Sequence, residues 1–261
     1  MILVTLAAVA IFLVVQSVPA FVATNETASL LPDNFWSYVW PLIFGTAWAA
    51  ILALLISLPL AIGIALFISH YAPRKVSAVL GYIVDLLAAV PSVVFGLWGI
   101  GVLAPAAQPI YVWMNDNLGW IPFFGGVVSG TGRTILTAAL VLGVMVLPIM
   151  TAICREIVLQ APVLHEEAAL ALGATRWEMI RMAVLPFGRA GIVSAAMLGL
   201  GRALGETMAV AMVLSATGLV SFRLLTSENP STIAANIALS FPEAYGTNVN
   251  VLIATGLILC I

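Results

Sequence analysis

Residues 166–186 read Glu166-Glu167-Ala168-Ala169-Leu170-Ala171-Leu172-Gly173-Ala174-Thr175-Arg176-Trp177-Glu178-Met179-Ile180-Arg181-Met182-Ala183-Val184-Leu185-Pro186. This is the one polar island in a chain otherwise built for lipid. It contains five charged side chains, a helix-breaking glycine and a closing proline. The sequence on either side reads as membrane span or short connection. A structured polar connection between two spans is suited to touching another protein.

The composition sets the class. The chain is 63% hydrophobic and 8% charged over 261 residues, with mean hydropathy +1.17. Soluble domains carry roughly 25% charged residues, so a fold of this size would show water a surface too apolar to stay dissolved. The expectation is an all-α polytopic membrane protein. A net charge of -2 without a dense basic patch excludes a nucleic-acid partner. Cys154 and Cys260 fall in apolar segments without ligand spacing and read as small buried hydrophobes.

Six apolar stretches are expected as transmembrane helices, because lipid offers backbone groups no other partner. They run over about 1–22, 41–70, 78–104, 132–154, 188–218 and 249 onward. Pro59 and Pro91 are expected to kink the second and third. Residues 1–15 lack the basic start of a cleaved signal and read as a retained first span. From 249 to the end the apolar helix would extend about 20 Å, short of a ~30 Å hydrocarbon core, so the sixth span reads as truncated.

Basic residues set the expected orientation. With the N-terminus in the cytoplasm, the inner segments hold Arg74, Lys75, Arg155, Arg176, Arg181 and Arg189, and the outer ones only Arg133 and Arg223. Trp36, Tyr38 and Trp40, then Tyr111, Trp113 and Trp120, read as an interfacial aromatic belt at the outer face. The stretch at about 219–248 is the longest outer connection. One membrane domain, 1–261, is expected, with its polar inner loop at about 155–187.

That loop has its own physical logic. Val163 to Leu172 are good helix formers, with Glu166 and Glu167 in the first turn where the helix dipole favours acids. Gly173 permits a sharp break, and Thr175 can cap a second helix starting near Arg176. Trp177, Ile180 and Val184 are spaced as an apolar stripe, and Pro186 is expected to end the helix. Two short helices meeting at a glycine form a knob able to fit a partner's groove; an amphipathic helix lying on lipid headgroups is the alternative. The only lysine, Lys75, follows Pro73-Arg74 rather than a glycine-rich loop, so the chain has no P-loop of its own.

Arg202 and Glu206 fall inside the fifth stretch, four residues apart and so on one face if the helix is continuous. A charge at a bilayer centre costs about 2.5–3.5 kcal/mol, so the pair must face the bundle or a water-filled path. Gly201 and Gly205 beside them allow a close helix approach. The pair reads either as a structural ion pair or as a translocation path, with Arg202 attracting an anion and Glu206 holding it in place. Asp85, roughly 10 Å from the inner face, is a weaker path candidate or the partner of a nearby basic residue. His70 and His165 are isolated, and no cluster suggests a metal.

The loop resembles the EAA loop of ABC-importer permeases. Glu167, Ala168, Ala169, Gly173, Leu185 and Pro186 match in register, although the family favours isoleucine where this chain has Ala183. Val90-Pro91-Ser92-Val93-Val94-Phe95-Gly96-Leu97-Trp98-Gly99, Leu147-Pro148-Ile149, Gly199 to Val210, and Thr232 to Ala235 with Phe241, Glu243 and Ala244 narrow the resemblance to the phosphate permeases of the PstC type. The resemblance implies a type I ABC-importer permease bundle that is not itself an enzyme. It implies a multi-pass cell-membrane subunit of an ATP-driven phosphate importer, working with a PstA-type permease, two ATPase subunits and an external phosphate-binding protein. ATP-Mg would bind only on the partner ATPase, and the chain would need no cofactor. The six loop residues would then couple to the ATPase, and Arg202, Glu206 and Asp85 would be path candidates. A permease for sulfate or molybdate is the alternative. A secondary transporter would require repeated halves and would leave the loop unexplained.

Overall fold

A computed structural model describes residues 2–260, and its backbone is helical, with three isolated bridges and no strands among those residues. The helices are α1 (Ile2–Val22), α2 (Phe35–Leu66), α3 (Arg74–Ala88), α4 (Ser92–Trp98), α5 (Ala104–Leu118), α6 (Ile135–Leu159), α7 (Val163–Ala171), α8 (Arg176–Met179), α9 (Leu185–Leu204), α10 (Met208–Val213), α11 (Ile233–Ser240) and α12 (Thr247–Cys260). π turns at Phe67–Tyr71, Gly99–Leu103 and Ile180–Val184 follow α2, join α4 to α5, and join α8 to α9.

Each π turn ends two residues before a proline: Pro73, Pro105 and Pro186. Proline has no N–H to donate and its ring presses on the carbonyl four residues back. Widening the preceding turn to the i→i−5 pattern gives that carbonyl room. In all three turns the closing bond has this span, as in the Leu185 N–H bonded to Ile180 O.

Four helices are long and apolar enough to cross a membrane: Phe35–Tyr71, Ser92–Leu118, Ile135–Leu159 and Arg176–Leu204. Ala7–Val22 and Thr247–Cys260 are shorter apolar helices. Two expected boundaries are corrected. The third span starts at Ser92, because Val90-Pro91 breaks the chain outright and leaves α3 as a separate helix. The fifth ends at Leu204 rather than near 218, and the chain from Leu214 to Ser231 is not helical. Pro59 leaves α2 a continuous helix from Phe35 to Leu66.

The residues group into two compact units. The first comprises Met1–Ala50, Ser92–Val141 and Leu204–Ile261. Here α1 and the residue just after it pack along α12 through Ala20, Ala23, Val251 and Ala254, and the three alanines let the backbones approach closely. Gly96 on α4 faces the backbone of Ala209 on α10, where a side chain would not fit. The loops on this unit are tied together: Leu224 N–H donates to Phe123 O (2.8 Å) and Ser129 N–H to Leu225 O (2.9 Å). Trp48 stacks on Phe44 and Phe123, and Phe222 meets Phe44 and Trp48 edge-on. Asn229 is fully buried; its Oδ1 accepts from Ile135 N–H at the start of α6 and its Nδ2 donates to Thr226 O and Ser215 O. Trp36, Trp40, Trp113 and Trp120 are exposed as a belt requires, but Tyr111 turns inward to share a 2.8 Å hydrogen bond with Thr137.

The second unit comprises Ile51–Pro91 and Leu142–Ala203. Gly143 and Gly199 let α6 and α9 close on α2, against Ala53 and Leu54. Gly191 receives the side chain of Ile157. Cys154 is buried among Ala65, Ala195 and Ile62, as its apolar setting suggested, whereas Cys260 is exposed.

Candidate functional site

The polar island lies in the second unit and folds as two helices closed at a glycine. Gly173 takes φ +89°, the left-handed conformation that glycine adopts without penalty. Its N–H donates to Leu170 O (3.0 Å) and Ala174 N–H to Ala169 O (3.2 Å). These two bonds form a Schellman closure, satisfying carbonyls that the end of α7 would otherwise leave open.

Two residues later the second helix begins with a reciprocal cap. Glu178 N–H donates to Thr175 Oγ1 (3.3 Å), and Glu178 Oε2 accepts from the Thr175 N–H and hydroxyl, both at 2.8 Å. Thr175 was legible as a cap; the Glu178 half was written in the same Thr-x-x-Glu spacing.

Of the expected stripe, Ile180 and Val184 are fully buried, while Trp177 remains 55% exposed. They join Leu66 of α2 and Val158 of α6 in one cluster, with Ala169 of α7 packed against it. That cluster fixes the knob to two spans. Pro186 does not end the helix as expected. The π turn carries the chain past it, so α8 runs through into α9.

The six matched residues divide by position. Ala168, Ala169, Gly173 and Pro186 line an open groove of about 830 Å3. Glu167 is exposed on α7, and Leu185 packs into the buried cluster. Around them Val163, Leu164 and Leu172 expose apolar side chains, Leu172 to 90%. Such an apolar display suits contact with a protein partner or with lipid headgroups.

One further tie was invisible in sequence. His70 Nε2 lies 3.4 Å from Glu166 Oε1, and Ser69 Oγ lies 2.8 Å from His70 Nδ1. His70 is therefore not the isolated side chain expected; it links the π turn after α2 to α7. The separation of 96 residues hides such a contact from any local reading.

The three charged candidates do not form one constellation. Arg202 sits in the last turn of α9, with its Nε buried and without a hydrogen-bond partner. Helix α9 ends at Leu204, so Arg202 and Glu206 do not share the continuous helical face expected of them. Glu206 is 8% exposed, and its Oε1 accepts from Ala209 N–H (3.1 Å) at the start of α10. Asp85 lies on α3, outside the four long apolar helices. Its Oδ2 is 3.8 Å from Arg155 Nη2, and its side chain is 55% exposed. Asp85 therefore has a basic residue beside it, as one of its two expected roles requires.

Residues 57–261 match the family described as binding-protein-dependent transport system inner membrane component. The chain is 52% identical over 215 residues to the Mycobacterium tuberculosis protein named phosphate transport system permease protein PstC 2; the match covers 79% of this chain and 66% of that one. It is 37% identical to the Haemophilus influenzae phosphate transport system permease protein PstC, covering 99% of this chain and 84% of that one. In structure it resembles a chain of the MetNI methionine ABC transporter in inward-facing conformations, with TM-score 0.54, 20% identity, and coverage of 85% and 88%. That likeness fixes the fold alone.

Proposed function

We infer the function from one premise: this chain belongs to the binding-protein-dependent transport system inner membrane components. It is a membrane-spanning subunit of an ATP-driven importer of inorganic phosphate, the substrate named for its PstC relatives. The carrying observation is the knob closed at Gly173, with Ala168, Ala169 and Pro186 at its groove and its root packed into α2 and α6. That arrangement supports a rigid lever: a partner pressing on α7 moves two spans rather than a loose loop.

In this reading the N-terminus and the knob lie in the cytoplasm, as the distribution of arginines favours. Two ATPase subunits bind ATP-Mg, and one of them docks on the knob. A PstA-type permease completes the path, and an external binding protein delivers phosphate. Arg202, with an unsatisfied Nε, attracts the anion. Glu206 holds the start of α10 beside the path, and Asp85 steadies Arg155 at its inner end.

Labelled-phosphate uptake tests this reading, in cells lacking their own importer and supplied with this subunit and its partners. Uptake that depends on ATP and is competed only by phosphate is expected. Competition by sulfate or molybdate, or uptake without the ATPase, overturns it.

A further inference from the structure

Arg133, at the foot of α6, has no role in the reading above. Its Nη2 donates to Met212 O (3.0 Å) and Leu214 O (3.5 Å), which fixes the guanidinium against the end of α10. Its Nε is buried without a partner. Its Nη1 makes no hydrogen bond or ion pair among the described residues, and no carboxylate lies within ion-pair distance of the side chain. A guanidinium offers five N–H donors, so this one is anchored yet under-used, and its charge is not neutralised.

Beside it is a cavity of about 490 Å3, lined by Arg133, Gln108, Thr131, Gly130, Ile100 and Pro105. No acidic side chain is among them. The anchored guanidinium is a fixed positive charge that only donates, and the carboxamide and hydroxyl beside it can donate as well; together they suit an oxyanion, while the guanidinium repels a cation. A fixed guanidinium also loses little freedom on binding, which favours affinity.

We propose that this cavity is a second oxyanion site, holding inorganic phosphate on Arg133, Gln108 and Thr131 apart from Arg202. The proposal rests on the phosphate-importer reading for the identity of the anion. The site serves as a staging position at the loop end of α6, where the ion is held before it enters the membrane. Its polar walls are supplied by α5 and the α5–α6 loop, so a soluble anion rather than a lipid headgroup is the occupant.

Arginine labelling by phenylglyoxal tests the site directly. The complete importer is held in nanodiscs, and the adduct on Arg133 is followed by peptide mass spectrometry. Phosphate at roughly ten times its dissociation constant is expected to slow labelling about tenfold, while equal chloride does not. Gln108→Leu and Thr131→Val, which leave the carbonyl contacts of Arg133 untouched, are expected to weaken that protection severalfold in complexes that still assemble. Labelling indifferent to phosphate, in a complex that imports phosphate, overturns the site and leaves the importer reading standing. Protection by sulfate alone, with no phosphate uptake, overturns the importer reading and with it phosphate as the ligand. Protection by phosphatidylglycerol nanodiscs without added phosphate, absent in phosphatidylcholine, assigns the cavity to a lipid headgroup and overturns the staging role.

Discussion

The guanidinium of Arg155 lies against Gly81, in the space a Cβ would have to occupy. From that position its Nη2 reaches to 3.8 Å from Asp85 Oδ2 one turn further along α3. Arg155 lies near the end of α6, a few residues before α7, so the same side chain ties α3 to the root of the knob. The tie is a light one, because a half-exposed ion pair contributes only about 0–1 kcal/mol.

Gly81→Ala and Asp85→Asn should therefore cost about the same. The added methyl displaces only the far end of the flexible Arg155 side chain, which can swing aside, so each variant loses at most the about 0–1 kcal/mol of the half-exposed pair. Thermal unfolding of the purified complex measures both. A clearly lower midpoint for Gly81→Ala alone would show that Arg155 cannot move and that the glycine sets the fit.

Gly173 has open space around it but a backbone that L side chains disfavour. Gly173→Val should strain the closure by about 1–2 kcal/mol or more, loosening ATPase docking or separating ATP hydrolysis from uptake. Gly173→Asn, which tolerates this backbone better, should retain most of the coupling. ATPase pull-down and the ratio of ATP hydrolysed to phosphate imported give the readout. Equal losses in both variants would point to bulk at the interface instead of backbone strain.

Thr175→Ala removes one half of the capping box and should cost about 1 kcal/mol. Hydrogen exchange across residues 175–179 should accelerate roughly fivefold, with α6 unchanged. Unaltered exchange there would mean the cap does not hold α8.

Arg202→Ala should abolish phosphate uptake while the complex still assembles with its ATPase, since the side chain forms no ion pair among the described residues. Glu206→Gln keeps an acceptor for Ala209 N–H and should fold normally, whereas Glu206→Ala should destabilise the start of α10 by about 1 kcal/mol. Uptake assays alongside thermal unfolding separate the two roles. Normal transport by the Arg202 variant would remove that residue from the path.

What the sequence alone determined is whatever depends on neighbours along the chain. Composition settled the lipid environment. The Thr-x-x-Glu spacing and the glycine eight residues after His165 placed a cap and a break to the residue, because capping and left-handed turns are local hydrogen-bond events. The third and fifth spans were misplaced because hydropathy runs smoothly over Val90-Pro91 and over Gly205, where the backbone in fact stops being helical. The breaks themselves are local, at Pro91 and at Glu206, which accepts from Ala209 N–H three residues on, whereas Arg155 against α3 and Arg133 at the end of α10 meet partners about 70–80 residues away. Only the tertiary structure could set Asp85 beside Arg155, pair His70 with Glu166, and anchor Arg133 beside the cavity lined by Gln108 and Thr131. Each of those outcomes turns on which side chains meet across tens of residues, and a single chain's local pattern carries no record of that distance.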